Sequence, residues 1–179
     1  MLCPRLTILS DVRAWVPVPG SAKARLVEGA LAAFGTRAYA AVGVTELAER
    51  AGVTIGSLYH HFGSKAGIYT AVREDVERRL LDRMEGAAAT TTEVGPVLLV
   101  GFDYLVREGF TRLLAEPHPD RSADPVETFF GALADRDGMP VGRILLAAWR
   151  AALLAASEAS SAGADTTLVR KAMLTVISG

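Results

Sequence analysis

Apolar positions recur at helical spacing along most of the chain. Val27, Ala30, Leu31 and Phe34 form an i, i+3, i+4, i+7 stripe, with Ser21 placed to cap the helix they define. After "GTRAY", a second stripe at Val44, Leu47, Ala48 and Ala51 stops at Gly52, which suits the left-handed residue just past a helix end. Thr54 offers the cap of a third, short helix that ends at Phe62-Gly63-Ser64, and Ser64 caps a fourth running from Lys65 to about Ala88. "ATTTEVGP" reads as a linker. Beyond it, "PVLLVGFDYLVREGFTRLLAE" predicts one long helix or two joined near Gly109. "VETFFGALA", "VGRILLAAWRAALLAASEAS" and "TTLVRKAMLTVIS" predict three more, separated by the loops "PHPDRSADP", "DRDGMP" and "SAGAD". The pattern is all-α, about nine helices with no convincing strand. The expected divisions are an arm over residues 1–20, a front domain over 21–66 and a back domain over 67–179.

Alanine dominates the apolar half of the composition and β-branched residues are thinly spread, which favours helix over sheet. The single cysteine, Cys3, excludes an internal disulfide framework and fits a reducing cytoplasm. No run approaches the ~20 apolar residues of a membrane span, and no signal-peptide pattern is present. The arm "MLCPRLTILSDVRAWVPVPG" reads either as a loose segment or as the product of a translation start placed too early, for example upstream of a true start near Val18. Net charge is only −1 but uneven: residues 1–83 hold eleven Lys/Arg and eight Asp/Glu, residues 84–179 eight and twelve. A mildly basic front and an acidic back suggest two tasks.

"VTELAERAGVTIGSLYHHF" joins two short helices by a glycine turn, the helix-turn-helix pattern. Leu47 and Ala51 face inward, Ala48 is small where the next helix crosses, Val53 fills the gap, and Leu58 and Phe62 hold the second helix to the core. At 100° per residue, Gly56 and His60 then point outward, with Ser57 beside them and Tyr59 and His61 on the flanks. Eight helical residues span ~12 Å, the width of the DNA major groove. Neighbouring His60 and His61 diverge on a helix, His118 is distant in sequence and Cys3 is alone, so no metal site is expected. "IGSLY" is not a nucleophile elbow, and no acid–base constellation is recognisable, so no catalysis and no cofactor are expected.

Residues 21–72, through "LVEGALAAF", Tyr39 and "VTELAERAGVTIGSLYHHFGSKAGIYTAV", resemble the DNA-binding domain of the TetR family of transcriptional regulators. The run Leu58-Tyr59-His60-His61-Phe62 followed by Ser64-Lys65 carries the likeness. The resemblance implies a DNA-facing set of Thr45, Thr54, Ile55, Gly56, Ser57, Tyr59, His60, His61 and Lys65. Ser57, Tyr59 and His60 would meet base edges or nearby phosphates, and Thr54, His61 and Lys65 would hold phosphates. Lys65, Lys23, Arg25 and Arg37 are the expected exposed cations of this domain. The resemblance further implies a cytoplasmic, ligand-responsive regulator, a repressor that binds a palindromic operator in double-stranded DNA as a homodimer. Ile55 stands where a cation is common, Gly43 gives up a side-chain cap and Ala38 replaces a frequent glycine. These departures support the alternative of a helical adaptor that has lost DNA binding.

For the back half, the resemblance implies a four-helix dimer interface from the last two helices, with Leu145, Ala148, Ala152, Ala156, Val169, Met173 and Val176 as candidates. The competing reading of the same residues is intramolecular core. Phe102, Tyr104, Phe110, Phe129, Phe130 and Trp149, with Arg107 and Arg150, are candidates to line a cavity for an apolar or aromatic effector, again against a core or surface reading.

Overall fold

The computed structural model describes residues 17–119 and 121–178. Most of the N-terminal arm therefore lies outside the described residues. Among these there are nine α-helices and no strand, only an isolated bridge between Arg136 and Met139. The front comprises α1 (Ala22–Thr36), a 3-10 turn (Tyr39–Ala41), α2 (Val44–Arg50) and α3 (Ile55–Phe62). There follow α4 (Lys65–Ala88), α5 (Val94–Glu108), α6 (Thr111–Ala115), α7 (Pro125–Ala134), α8 (Val141–Ser161) and α9 (Thr167–Ser178).

The capping residues act as expected. Ser21 accepts from the Ala24 N–H at 3.1 Å, Thr54 from Ser57 at 3.2 Å and Ser64 from Gly67 at 2.9 Å, each filling a donor that the first helical turn leaves unpaired. Gly52 ends α2 with φ +60°. The segment around Gly109 resolves into two helices, with Gly109 left-handed at φ +74° between them. The expected linker at 89–96 is shorter than its composition suggests. Helix α5 already begins at Val94, because Pro96 falls in its first turn, where a missing N–H breaks no helical bond. Two caps are set by carboxylates that the helical stripes did not reveal: Asp124 for α7 and Asp165 beside the start of α9.

A single hydrophobic cluster runs from Leu26 to Met173, across the boundary expected after residue 66. Helix α4 forms the bridge. At roughly 36 Å, it starts one turn after α3 and lies along α5, while α8 packs on α6 and α7, and α9 on α8 and α5. Arg73, fully buried in α4, ties the bridge to the back half. Its guanidinium donates to Glu77 Oε1 and the Leu113 and Glu116 carbonyls at 2.8 Å each and to the Tyr69 hydroxyl at 3.0 Å. Glu77 in turn accepts from Arg121 at 3.0 Å. A buried charge of this kind is tolerated because its hydrogen-bonding capacity is well used.

Two glycines set the joints. A Cβ on Gly67 would lie 2.0 Å from the Phe62 carbonyl oxygen, so the sharp corner between α3 and α4 requires glycine. A Cβ on Gly35 would lie 2.3 Å from the Gly109 carbonyl oxygen, so α1 rests its last turn directly on the α5–α6 corner.

Candidate nucleic-acid interface

Helix α3 buries Leu58 completely and half-buries Phe62, so its inner edge is held more by leucine than by phenylalanine. Gly56, Tyr59, His60 and His61 are exposed, Tyr59 at 50%, and Ser57 is half-buried beside them. Thr45 on α2, Thr54 and Ile55 are also exposed. The imidazoles of His60 and His61 do not diverge completely: their centroids are 5.1 Å apart, edge to face. Among the described residues, no group of three or more His, Cys, Asp or Glu side chains is arranged to hold a metal ion.

Gly56 differs from the joint glycines. An added Cβ would meet only Thr54 Oγ1 at 3.7 Å, and its φ is not positive. Glycine inside a helix costs about 0.5–1 kcal/mol relative to alanine. The fold gains no packing from that cost.

Two arginines of the head are committed to one carboxylate. Arg37 donates to Glu46 at 2.5 Å and to the Ala41 carbonyl, and Arg50 lies 3.4 Å from the same Glu46 oxygen. Arg37 thus braces the turn before α2, although its sequence position suggests a cation for phosphate. The Arg37 hydrogen bond holds the Glu46 carboxyl below its ordinary range, with desolvation opposing and the Arg37 and Arg50 charges and the Gly43 N–H assisting. Lys65, the first residue of α4, places its ammonium 4.2 Å from the centroid of the Tyr39 ring.

Comparison with known proteins agrees with this geometry. The family model "Bacterial regulatory proteins, tetR family" matches residues 26–72, which contain α2, α3 and the start of α4. The match lies in the front of the chain and takes in the helix-turn-helix. It is 33% identical over 100 residues to the HTH-type transcriptional regulator TtgR of Pseudomonas putida, covering 52% of this chain and 47% of the relative. It is 38% identical over 71 residues to the HTH-type transcriptional activator FasR of Mycolicibacterium smegmatis, covering 40% and 32%. The chain therefore spans half or less of these relatives' lengths. A crystal structure of a TetR-family regulator from Streptomyces coelicolor aligns over 92% of this chain and 99% of its own at 17% identity and a TM-score of 0.43. No described helix is long and apolar enough to cross a membrane.

The back-half candidates, outside the matched residues, are placed less simply. Phe102, Phe130 and Trp149 are fully buried. Trp149 packs on Phe130 at 5.5 Å and donates its indole N–H to the Leu98 carbonyl at 3.0 Å. Phe129 flanks Phe130, while Tyr104 and Phe110 form a separate pair at 6.5 Å. The aromatic set is thus divided within the core and does not converge on one cavity. Arg150 pairs with Asp124, the α7 cap, and Arg107 is exposed beside Glu108. Arg150 is thus committed to the cap of α7, whereas Arg107 lies at the surface.

The dimer candidates also separate. Ala156 is buried within the chain and belongs to the core, while Met173, also buried, forms part of the floor of the trough between the last two helices. Ala148, Ala152, Val169 and Val176 line an apolar trough of about 370 Å³ between α8 and α9, joined by Ala151, Ala155 and Ala172. Leu145 is half-buried. The most exposed large apolar side chains of these two helices are Leu168 (73%), Ile144 (67%) and Val176 (66%), of which the sequence stripes single out only Val176. Ile144 and Leu168 fall outside the buried stripe of their helices, a signal weakened in α8 because alanine occupies nearly every face.

Proposed function

We propose that the protein is a DNA-binding transcriptional regulator that reads a palindromic operator as a homodimer. The observation that carries this reading is α3: a short, capped helix fixed by Leu58, presenting Gly56, Ser57, Tyr59 and His60 outward at a helix-turn-helix joint matched by the family model. Ser57, Tyr59 and His60 are suited to base edges, and Thr45, Thr54, His61 and Lys65 to phosphates, which set register without reading sequence. Ile55 adds an apolar contact at the helix start.

The apolar trough and the exposed Ile144 and Leu168 support a symmetric pairing of α8 and α9 with a second copy. Two heads would then read inverted half-sites about one helical turn (~34–36 Å), or a multiple, apart. Repression relieved by an apolar or aromatic small molecule completes the proposal. Such an effector must bind one placement of the heads better than another, and α4 and the Gly35–Gly109 contact are the described routes from back half to head.

The test is fluorescence anisotropy with duplex DNA from upstream of the protein's own gene, over a range of salt concentrations. Binding should weaken steeply with salt. Ser57→Ala and His60→Ala should reduce binding to that duplex more than to mixed-sequence DNA. Lack of binding at any salt would leave the adaptor reading standing.

A further inference from the structure

We propose that Tyr39 is a positioning residue for DNA binding: its ring holds the Lys65 ammonium in place for a backbone phosphate. The inference rests on the DNA-binding reading above and assigns part of its affinity to a residue outside α2 and α3. Tyr39 lies in the 3-10 turn between α1 and α2, and Lys65 follows α3 after only Gly63 and Ser64. The 4.2 Å separation of ammonium and ring centroid is within the range of a cation–π attraction.

The ring is itself fixed. Tyr39 meets Tyr69 of α4 edge to face at 4.8 Å and stacks on Phe34 of α1 at 6.0 Å, while Phe34 and Tyr69 touch at 5.0 Å. Rings from α1 and α4 therefore brace the one ring on which Lys65 rests. The arrangement matters because Arg37 and Arg50 are both engaged with Glu46. Lys65 stands immediately beside the reading helix. A lysine side chain is flexible, and ordering it on binding has an entropic cost. A ring that confines it beforehand reduces that cost and leaves other ammonium hydrogens for a phosphate. Ser64 and Gly67 fix the backbone from which Lys65 extends, through the cap hydrogen bond of 2.9 Å.

The experiment varies the ring's electrostatics at nearly constant shape. Tyr39→Phe, and the same position filled with difluoro- and trifluorophenylalanine, are compared for binding to short mixed-sequence duplex DNA, each with Lys65 and with Lys65→Ala. Thermal melts confirm folding. With Lys65 present, affinity should fall stepwise as fluorination drains the ring face, by about two- to fivefold across the series. In the Lys65→Ala background the series should be flat, and the salt slope should be smaller by about one. A flat series with Lys65 present, a series that falls equally without it, or an affinity that rises with fluorination (a ring that sequesters the lysine) would each overturn the proposal. If the unaltered protein binds no duplex DNA, the DNA-binding reading and this inference fall together. If it binds and the series is flat, only this inference falls.

Discussion

Helices α2 and α3 have seven and eight residues, too short to persist alone in water, and each joint around them has a dedicated residue: Gly52 at the turn, Thr54 and Ser64 as caps, Gly67 at the corner with α4. Helix α8 has 21 residues, starts after Pro140 with no side-chain cap and is held by burial of Leu146, Trp149 and Leu153. The front half is thus built from position-specific devices and the back half from packing. The difference explains why the two proposed tasks are unequally visible. Aiming a few side chains at a groove needs fixed residues at fixed spacings. Covering one face of an alanine-rich helix needs only that many residues be small and apolar.

Four experiments sharpen or break this contrast. The largest effect is expected where the halves are bolted together. Arg73→Ala leaves Glu77 with Arg121 alone, strips the Leu113 and Glu116 carbonyls of their donor, and should cost about 3 kcal/mol in urea unfolding. A single transition should persist, since one core spans both halves. Two separate transitions in the unaltered protein would instead make the head an independent unit.

Next is the back face. Ile144→Asp should leave the fold within about 0.5 kcal/mol but weaken self-association by about 2 kcal/mol or more, measured by sedimentation equilibrium. An unchanged dimer would move the interface elsewhere.

The third concerns a device of the front-half kind placed in the back half. Burial pushes the Asp124 carboxyl upward, but the Arg150 hydrogen bond and charge, with the Glu127 and Val126 N–H groups, outweigh it and hold the group below its ordinary range. Its stabilising contribution is therefore complete above the unfolded carboxylate value. It is lost as pH falls through the depressed folded value. Asp124→Asn should cost about 1–2 kcal/mol at pH 7, and the gap in melting temperature should close in acid.

The smallest effect separates two glycines of the head. Gly56→Ala should raise folding stability by up to about 1 kcal/mol while weakening DNA binding. Gly67→Ala, made as its counterpart, should destabilise the fold with no comparable gain. If Gly56→Ala left DNA binding intact, the open space above α3 would have no function in close approach.

Much of the head is legible from residue types alone, because its signals are local: a hydroxyl before a helix, glycine after one, Leu58 and Phe62 four apart. Arg73 is hidden because an i, i+4 Arg–Glu pair looks the same on a solvated face as in a core. Arg37 reads from sequence as a phosphate cation because its partner, Glu46, lies nine positions away. The aromatic residues of the back half are recognisably large and apolar, but only the three-dimensional packing separates Tyr104–Phe110 from Phe129–Phe130–Trp149. Ala156 shares a helix with the trough residues and differs from them only by rotation, which a stripe of uniformly apolar side chains does not fix.

The backbone contact between Gly35 and Gly109 bears on how such chains exchange parts. Because the end of α1 has no room there for a methyl group, the head is not a detachable cassette. A chimera that joins residues 21–66 to the back half of a relative would fit only if the recipient's α5–α6 corner also offers a bare peptide to the end of α1. Successful grafts should therefore sort by the residue at this corner, more than by overall identity, and a failed graft should be repairable there.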